Sequence, residues 1–363
     1  MRSLPLHEPL KGRGVPYDPP NRFETVSVEM EPGHWSGEKP RTEFIADASR
    51  SIVARNHSPD LGFDASLNPY RGCEHGCVYC YARPTHEYLG FSSGLDFERK
   101  ILVKRHAPEL LRAALSRASW KPRVLAISGV TDAYQPVERR LEITRRCLEV
   151  LRDFMNPITI VTKNHLVTRD IDILREMAVH GCAHVTVSVT TLRNGLRRVM
   201  EPRTSIPARR LDAVKRLSEA GVPVGVFVAP VIPALNDEEI PAILNATADA
   251  GARYASFMLL RLPGAVADHF VNWLEVHFPD RKEKVLARIR EARGGRLNDP
   301  SFHGRFRGEG EYAAQIGALF RAAARKAGLD RRPEPLSTGA FRRGGGLQGD
   351  LFQPVDRASP KSG

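Results

Sequence analysis

Short runs of apolar, largely β-branched residues alternate with longer stretches whose apolar positions recur at helical spacing, and this alternation organises the middle of the chain. The runs fall at 124–128, 158–162, 184–189, 224–229 and 255–260, with a first strand just before Cys73. Between them, 138–154, 171–180 and 208–220 read as amphipathic helices. The last of these stops at Gly221, the residue type that a left-handed helix end favours. The runs show little in-and-out alternation, as expected of strands buried on both faces of a parallel sheet. About six βα units in this stretch predict an α/β fold, either a full or partial TIM-type (βα) barrel or a doubly wound sheet. Both architectures place the active site at the carboxyl ends of the strands.

The flanks read differently. Residues 1–65 are rich in Pro and Gly with weak helical periodicity, which predicts an irregular lead-in to a barrel at 66–263. Beyond Pro263 the pattern loosens into an extension at 264–332, with helices at 280–291 and 311–326 around a loop at 294–310. The second helix is expected to dock through Tyr312, Ile316, Leu319 and Phe320, leaving Arg321, Arg325 and Lys326 outward. Residues 333–363 are Pro/Gly-rich and expected to be disordered. The longest uncharged apolar run, 222–235, carries three prolines. It falls short of the roughly 20 residues that a spanning helix needs. The first residues have charge but no apolar signal core, so a cytoplasmic location is expected and no membrane contact.

Charge adds a second signal. The 363 residues hold 54 Lys+Arg against 42 Asp+Glu, a net of +12, and the hydrophobic fraction of 42% excludes a wholly disordered chain. Residues 281–363 hold 18 basic against 9 acidic side chains, so most of the excess sits in the last quarter. A near-neutral body with a basic appendage suggests a catalytic domain with an anion-binding extension, or a solubilising tail.

The five cysteines are unevenly placed: Cys73, Cys77 and Cys80 lie within eight residues, while Cys147 and Cys182 stand alone and read as core. Clustered cysteines in a reducing compartment read as metal ligands before disulfides. At C-x3-C-x2-C spacing, three thiolates can hold three irons of a cubane and leave the fourth iron open for chemistry. A zinc site would need a fourth ligand, with His75 or His86 as candidates.

The run Cys73-Glu-His-Gly-Cys77-Val-Tyr79-Cys80 resembles the C-x3-C-x-aromatic-C signature of radical S-adenosylmethionine (radical SAM) enzymes, with Tyr79 in the aromatic place. That resemblance implies a partial βα barrel, a [4Fe–4S] cluster on Cys73, Cys77 and Cys80, S-adenosylmethionine on the open iron and an external electron donor. The implied chemistry is a 5′-deoxyadenosyl radical that abstracts a hydrogen atom. Within the family, residues 66–263 resemble the branch that contains spore photoproduct lyase, the DNA repair photolyase-like proteins. The branch pattern implies that Thr131 and Asp132 sit by the methionine amino group and Lys163 and Arg203 by its carboxylate. Ser188 would hold the methionine moiety or ribose. The branch's lyase keeps a cysteine just before the hydroxyl–Asp pair, where this chain has Gly129 and Val130, so the lyase's own reaction is not implied.

Nucleic acid is the expected substrate, reached through residues 281–332. A protein or small-molecule substrate is the alternative, as is a non-enzymatic iron–sulfur sensor of nucleic acid. The tail residues Gln348, Leu351 and Phe352 are similar to a motif by which bacterial DNA-processing proteins dock on the sliding clamp.

Overall fold

The computed structural model describes residues 8–24, 41–302 and 304–343. Its strands are β1 (Glu43–Ala46), β2 (Val53–Arg55), β3 (Ala65–Leu67), β4 (Tyr70–Arg71), β5 (Lys100–Val103), β6 (Leu125–Ile127), β7 (Ile158–Thr162), β8 (Ala183–Ser188), β9 (Val224–Val231) and β10 (Tyr254–Leu259). Seven of them form one sheet in the order β10-β9-β8-β7-β6-β3-β2, parallel throughout except for β2. The six parallel strands follow chain order with no reversal. A doubly wound sheet needs a reversal point, so the architecture is the partial barrel. The two ends, β10 and β2, do not pair with each other.

Leu67, Ile127, Ile160, Val187 and Val226 are fully buried in a core shared with the covering helices, which explains the missing alternation. The expected helix at 138–154 is two helices, Glu138–Leu141 and Ile143–Phe154, broken at Glu142 with φ 52°. The cause is local. The Glu138 carboxylate accepts the Thr144 amide at 3.1 Å, so it caps the second helix from inside the first. Helices Ala107–Ser116 and Ile240–Asp249 escape the sequence pattern because each opens with a proline, a residue tolerated in the first helical turn but easily read as a breaker. Val266–His277 is a further helix, just past Pro263.

The lead-in is more structured than its composition suggests. It supplies β2 to the barrel edge and β1 to a second sheet, β1-β5-β4. In the extension, Pro279–Glu291 and Gly310–Lys326 form as expected, and Ile316, Phe320 and Ala324 join the barrel core. Leu319 does not; it is exposed. The expected loop at 294–310 contains one helical turn, Gly304–Arg307. Residues 333–343, expected to be disordered, pack on the barrel. The Ser337 amide donates to Gly181 O, and Arg342 N to Phe154 O, both at 2.9 Å. Gln348, Leu351 and Phe352 lie outside the described residues. No described helix is long and apolar enough to cross a membrane.

Candidate active site

The three clustered cysteines sit on the loop that follows β3 and β4, at the carboxyl end of the sheet, and all three face one cavity. The loop is pinned from several sides. The Cys73 amide donates to Phe97 O at 2.9 Å and the Val78 amide to Met200 O at 3.1 Å. Gln135 bridges to the next strand's loop: its Oε1 accepts the Glu74 amide at 2.9 Å and its Nε2 donates to Gly72 O at 3.2 Å. Behind the loop, buried Arg83 donates to Cys77 O and pairs with Glu98 at 2.5 Å. The Glu98 carboxylate also accepts the amides of Gly14 and Val15, so the segment 8–24 straps the loop from outside. Contact there is too close for a side chain, since a Cβ at Gly14 would lie 1.7 Å from Gly76 O.

Burial pushes the Cys77 thiol well above its ordinary value and, with the Cys73 charge, raises Cys80 to about 11. Sulfurs in such surroundings ionise against metal charge. Among the described residues no three His, Cys, Asp or Glu side chains converge on a single ion. The proposed fourth zinc ligands are also engaged elsewhere. His75 faces Asp132 at 3.4 Å and Asn164 at 3.1 Å, and His86 Nε2 lies 2.9 Å from Lys100 O. Three thiols spread around one cavity fit a polynuclear cluster better than a zinc site.

Five of the six expected cofactor residues border this cavity: Tyr79, Thr131, Asp132, Lys163 and Ser188. Arg203 does not. It pairs with Glu74 at 3.0 Å and reaches Thr42, contacts that fasten the cysteine loop. The others are held by protein partners. Thr131 Oγ1 donates to Gly72 O at 2.8 Å. The Asp132 carboxylate accepts from Thr162 Oγ1 and the Lys163 amide, both at 2.8 Å, and from the Tyr134 amide at 2.9 Å. Burial opposes its charge, yet His75 and these donors hold it below the usual carboxylate range. Beside it, burial would lower the His75 pKa, but Asp132 and Cys73 raise it to about 10.

Lys163 Nζ donates to Ser188 Oγ at 2.6 Å, Ala229 O at 2.9 Å and Thr190 Oγ1 at 3.2 Å, and lies 3.4 Å from Glu201. Glu201 is the hub that sequence reasoning passed over in favour of its neighbour Arg203. Fully buried, it accepts from the Tyr79 hydroxyl, from Arg210 and from Thr190 Oγ1. Burial opposes its ionisation, but Arg210 and Lys163 hold it well below its ordinary value. The only signal in the sequence was an acidic residue at the end of the helix Asn194–Met200 that follows β8, a residue type common on surfaces.

The remaining walls are apolar: Val161, Phe227, Pro230, Met258 and Leu260, with Tyr81, Gly129, Val130 and Arg261 also among the lining residues. The cavity measures about 860 Å³ including the solvent at its mouth. Cys147 is buried in the main core, and Cys182 Sγ faces Met155 O, His180 O and Ser337 O. Among the described residues, the loop thiols are therefore the cysteines that line this cavity.

Comparison with known proteins bears on this arrangement. The family model described as the radical SAM superfamily matches residues 67–246. An uncharacterized protein of Mycobacterium tuberculosis strain H37Rv is 35% identical over 283 residues, covering 77% of this chain and 80% of its own length. One from Methanocaldococcus jannaschii is 28% identical over 220 residues, covering 60% of this chain and 78% of its own. Among solved structures, a mutant of spore photoproduct lyase superposes with a TM-score of 0.58 at 17% identity, over 83% of this chain and 85% of the lyase. Another lyase mutant, with bound AdoMet and dinucleoside spore photoproduct, gives 0.57 at 16% over the same shares. At those identities the likeness to the lyase is one of fold. The sequence matches carry the assignment further, and this chain belongs to the radical SAM superfamily, whose enzymes work with a [4Fe–4S] cluster and S-adenosylmethionine.

Proposed function

We propose that this radical SAM enzyme abstracts a hydrogen atom from a nucleic-acid substrate, in repair or modification. One observation carries the reading. The basic extension brings its Gly304–Arg307 turn to the rim of the cavity that the three cysteines line, where Phe306 stacks against Arg261. The lyase of like fold, solved with a dinucleoside photoproduct, supports the same substrate class by analogy of fold.

Cys73, Cys77 and Cys80 would hold the cluster, and the Thr131, Asp132, Lys163 and Ser188 side would hold the methionine end of S-adenosylmethionine. When bound, the pair supplies a carbon-centred radical by reductive cleavage, using an electron from an external donor. The protein's own work is positioning. Tyr79, tied to Glu201, fixes the cysteine loop, and Lys163 fixes Ser188 and the end of β9. The apolar wall of Val161, Phe227 and Met258 keeps water from the reacting face. Absence of a fourth cavity thiol among the described residues separates the outcome from one that returns hydrogen from a neighbouring cysteine. The helices of residues 281–332 add a salt-sensitive phosphate contact. The motif of Gln348, Leu351 and Phe352 adds a sliding-clamp contact that raises the local concentration at replicating DNA.

The test is anaerobic purification, iron and sulfide counting, and dithionite-driven release of 5′-deoxyadenosine with and without single-stranded or duplex oligonucleotides. Release stimulated by nucleic acid is the expected result. Release that no oligonucleotide stimulates moves the substrate to a protein or a small molecule.

A further inference from the structure

A row of stacked aromatic rings and guanidinium groups runs outward from the cavity rim, and the cofactor chemistry does not use it. Its order is Tyr81, Arg261, Phe306, Arg305, Phe302. The Arg261 guanidinium carbon lies 5.6 Å from the Tyr81 ring centroid and 5.2 Å from that of Phe306. That of Arg305 lies 4.8 Å from Phe306 and 5.0 Å from Phe302. Each guanidinium thus sits within cation–π reach of two rings.

The row is rigid. Arg305 forms a bidentate pair with Asp60, at 2.5 and 2.7 Å, and the Asp60 side chain is 3% exposed. Asp60 follows β2, at one end of the open sheet, and Arg261 follows β10, at the other, so the row spans the gap in the barrel. Buried Arg293 donates to Gly304 O at 2.9 Å and to Leu260 O at 2.7 Å, which fastens the helical turn to the strand end. The Tyr81 hydroxyl donates to Gly129 O at 2.7 Å.

Two features remain open within this fixed frame. The rings at both ends are exposed, Tyr81 at 42% and Phe302 at 54%. The Arg261 Nε–H is buried without a hydrogen-bond partner, on a side chain that lines the cavity. A buried donor left unmet costs stability unless a ligand meets it. The surroundings are cationic as well: residues 292–308 contain four Arg and one Asp.

We infer that this row is a stacking platform for an unpaired nucleobase, with Arg261 a specificity-determining residue that donates its Nε–H to an acceptor on the base. Exposed rings interleaved with guanidinium planes match a planar, electron-rich group attached to an anionic backbone. A paired base has both faces covered by its neighbours and cannot use such a rim, so the platform selects single-stranded or extruded nucleotides. The inference rests on the nucleic-acid reading proposed above and adds to it where the base is held and in what state.

The experiment uses the full chain, purified anaerobically, and a single-stranded oligonucleotide carrying 2-aminopurine, a base whose fluorescence is quenched on stacking. Binding with quenching is expected, and the matched duplex should bind less tightly. Phe302→Leu alters an exposed ring and should weaken binding about tenfold while leaving the salt slope unchanged, because stacking and phosphate contacts are separate contributions. Arg261→Gln should weaken it by a similar factor, and Arg261→Lys should not rescue it, since an ammonium offers neither the plane nor the Nε–H. Variants with unchanged melting temperature that bind and quench like the wild type would overturn the platform and leave the nucleic-acid reading standing. A wild-type chain that binds no oligonucleotide overturns both.

Discussion

At the floor of the cavity, Lys163, Glu201, Tyr79 and Arg210 close on one another; at the rim, Arg261, Tyr81 and Phe306 stack but leave ring faces and a donor open. Both use a Tyr and an Arg. Tyr79, Glu201 and Arg210 are buried and Lys163 nearly so, all hydrogen-bonded to fixed partners, whereas the rim is held by Asp60 and Arg293 from behind. A surface that binds an invariant cofactor gains from donors that need no reorganisation. A surface that admits a substrate needs unfilled valence. On the proposed reading the floor takes the cofactor and the rim takes the substrate.

The sharpest way to break the comparison is at the cysteines. Cys73→Ala, Cys77→Ala and Cys80→Ala should each abolish iron binding, because two thiolates rarely retain a cubane. Cys147→Ala and Cys182→Ala change core packing and should leave the iron count unchanged. Iron and sulfide analysis of the five proteins decides this, and full loading of Cys77→Ala would remove the cluster from the floor.

A second test separates floor from rim by stability. Glu201→Gln leaves the Arg210 guanidinium, 1% exposed, without its counter-charge. Breaking one side of a buried pair costs about 3–5 kcal/mol. Arg261→Gln removes a donor that has no partner together with cation–π contacts to two rings, a loss of about 1–2 kcal/mol. Denaturant midpoints of the two variants should differ accordingly. Equal losses would mean that the rim is as closed a network as the floor.

This contrast also explains what could be read in the chain. The parallel strands were legible because burial on both faces leaves continuous Val and Ile runs such as Ile158–Thr162 and Val224–Val231. The cysteine loop was legible because its chemistry is local in sequence. Glu201 was not, because its partners Tyr79 and Lys163 lie 122 and 38 residues away, and a lone Glu carries no mark of burial. The rim was hidden for the same reason. Tyr81, Arg261 and Phe306 meet only when β10 and the loop after β4 are brought together, and Gly304–Arg307 lay inside a segment that composition marks as loop. The Arg203–Glu74 pair was equally hidden, because a basic residue looks the same in sequence whether it faces a ligand or an acidic side chain.

The floor itself divides into groups that touch a ligand and groups that position others. Asp132→Asn keeps the shape of the side chain but loses the charge that orders His75 and the Lys163 amide. Cluster iron should be retained, while affinity for S-adenosylmethionine falls by roughly ten- to a hundredfold, the worth of a charge-assisted hydrogen bond. Lys163→Met should give a loss of similar size, with lower stability as well, since Glu201 loses a partner. Anaerobic calorimetry on the iron-loaded proteins measures both. Unchanged affinity in both variants would place the cofactor's methionine end elsewhere in the cavity.

The smallest effect lies behind the cysteine loop, where the strap 8–24 tests how far the closed network extends. Asp18 accepts the Asp96 amide at 2.7 Å. Burial, with repulsion from the Asp96 carboxylate, raises its pKa from 3.8 to about 6. The sign follows from linkage: a carboxyl whose folded pKa is raised binds its proton more tightly in the folded state. Its stabilising contribution is complete below pH 3.8 and is lost as pH rises through about 6. Strap docking should therefore tighten as pH falls from neutrality toward about 5, a window set by that raised value. Asp18→Asn removes the titration and should flatten this dependence while leaving every other titrating group in place. The measurement is the difference in melting temperature between wild type and Asp18→Asn across that window, together with the rate of proteolysis within residues 8–24. A difference that stays constant with pH would mean that the strap docks without strain at Asp18, and that the closed network of the floor reaches through the cysteine loop to the outer surface.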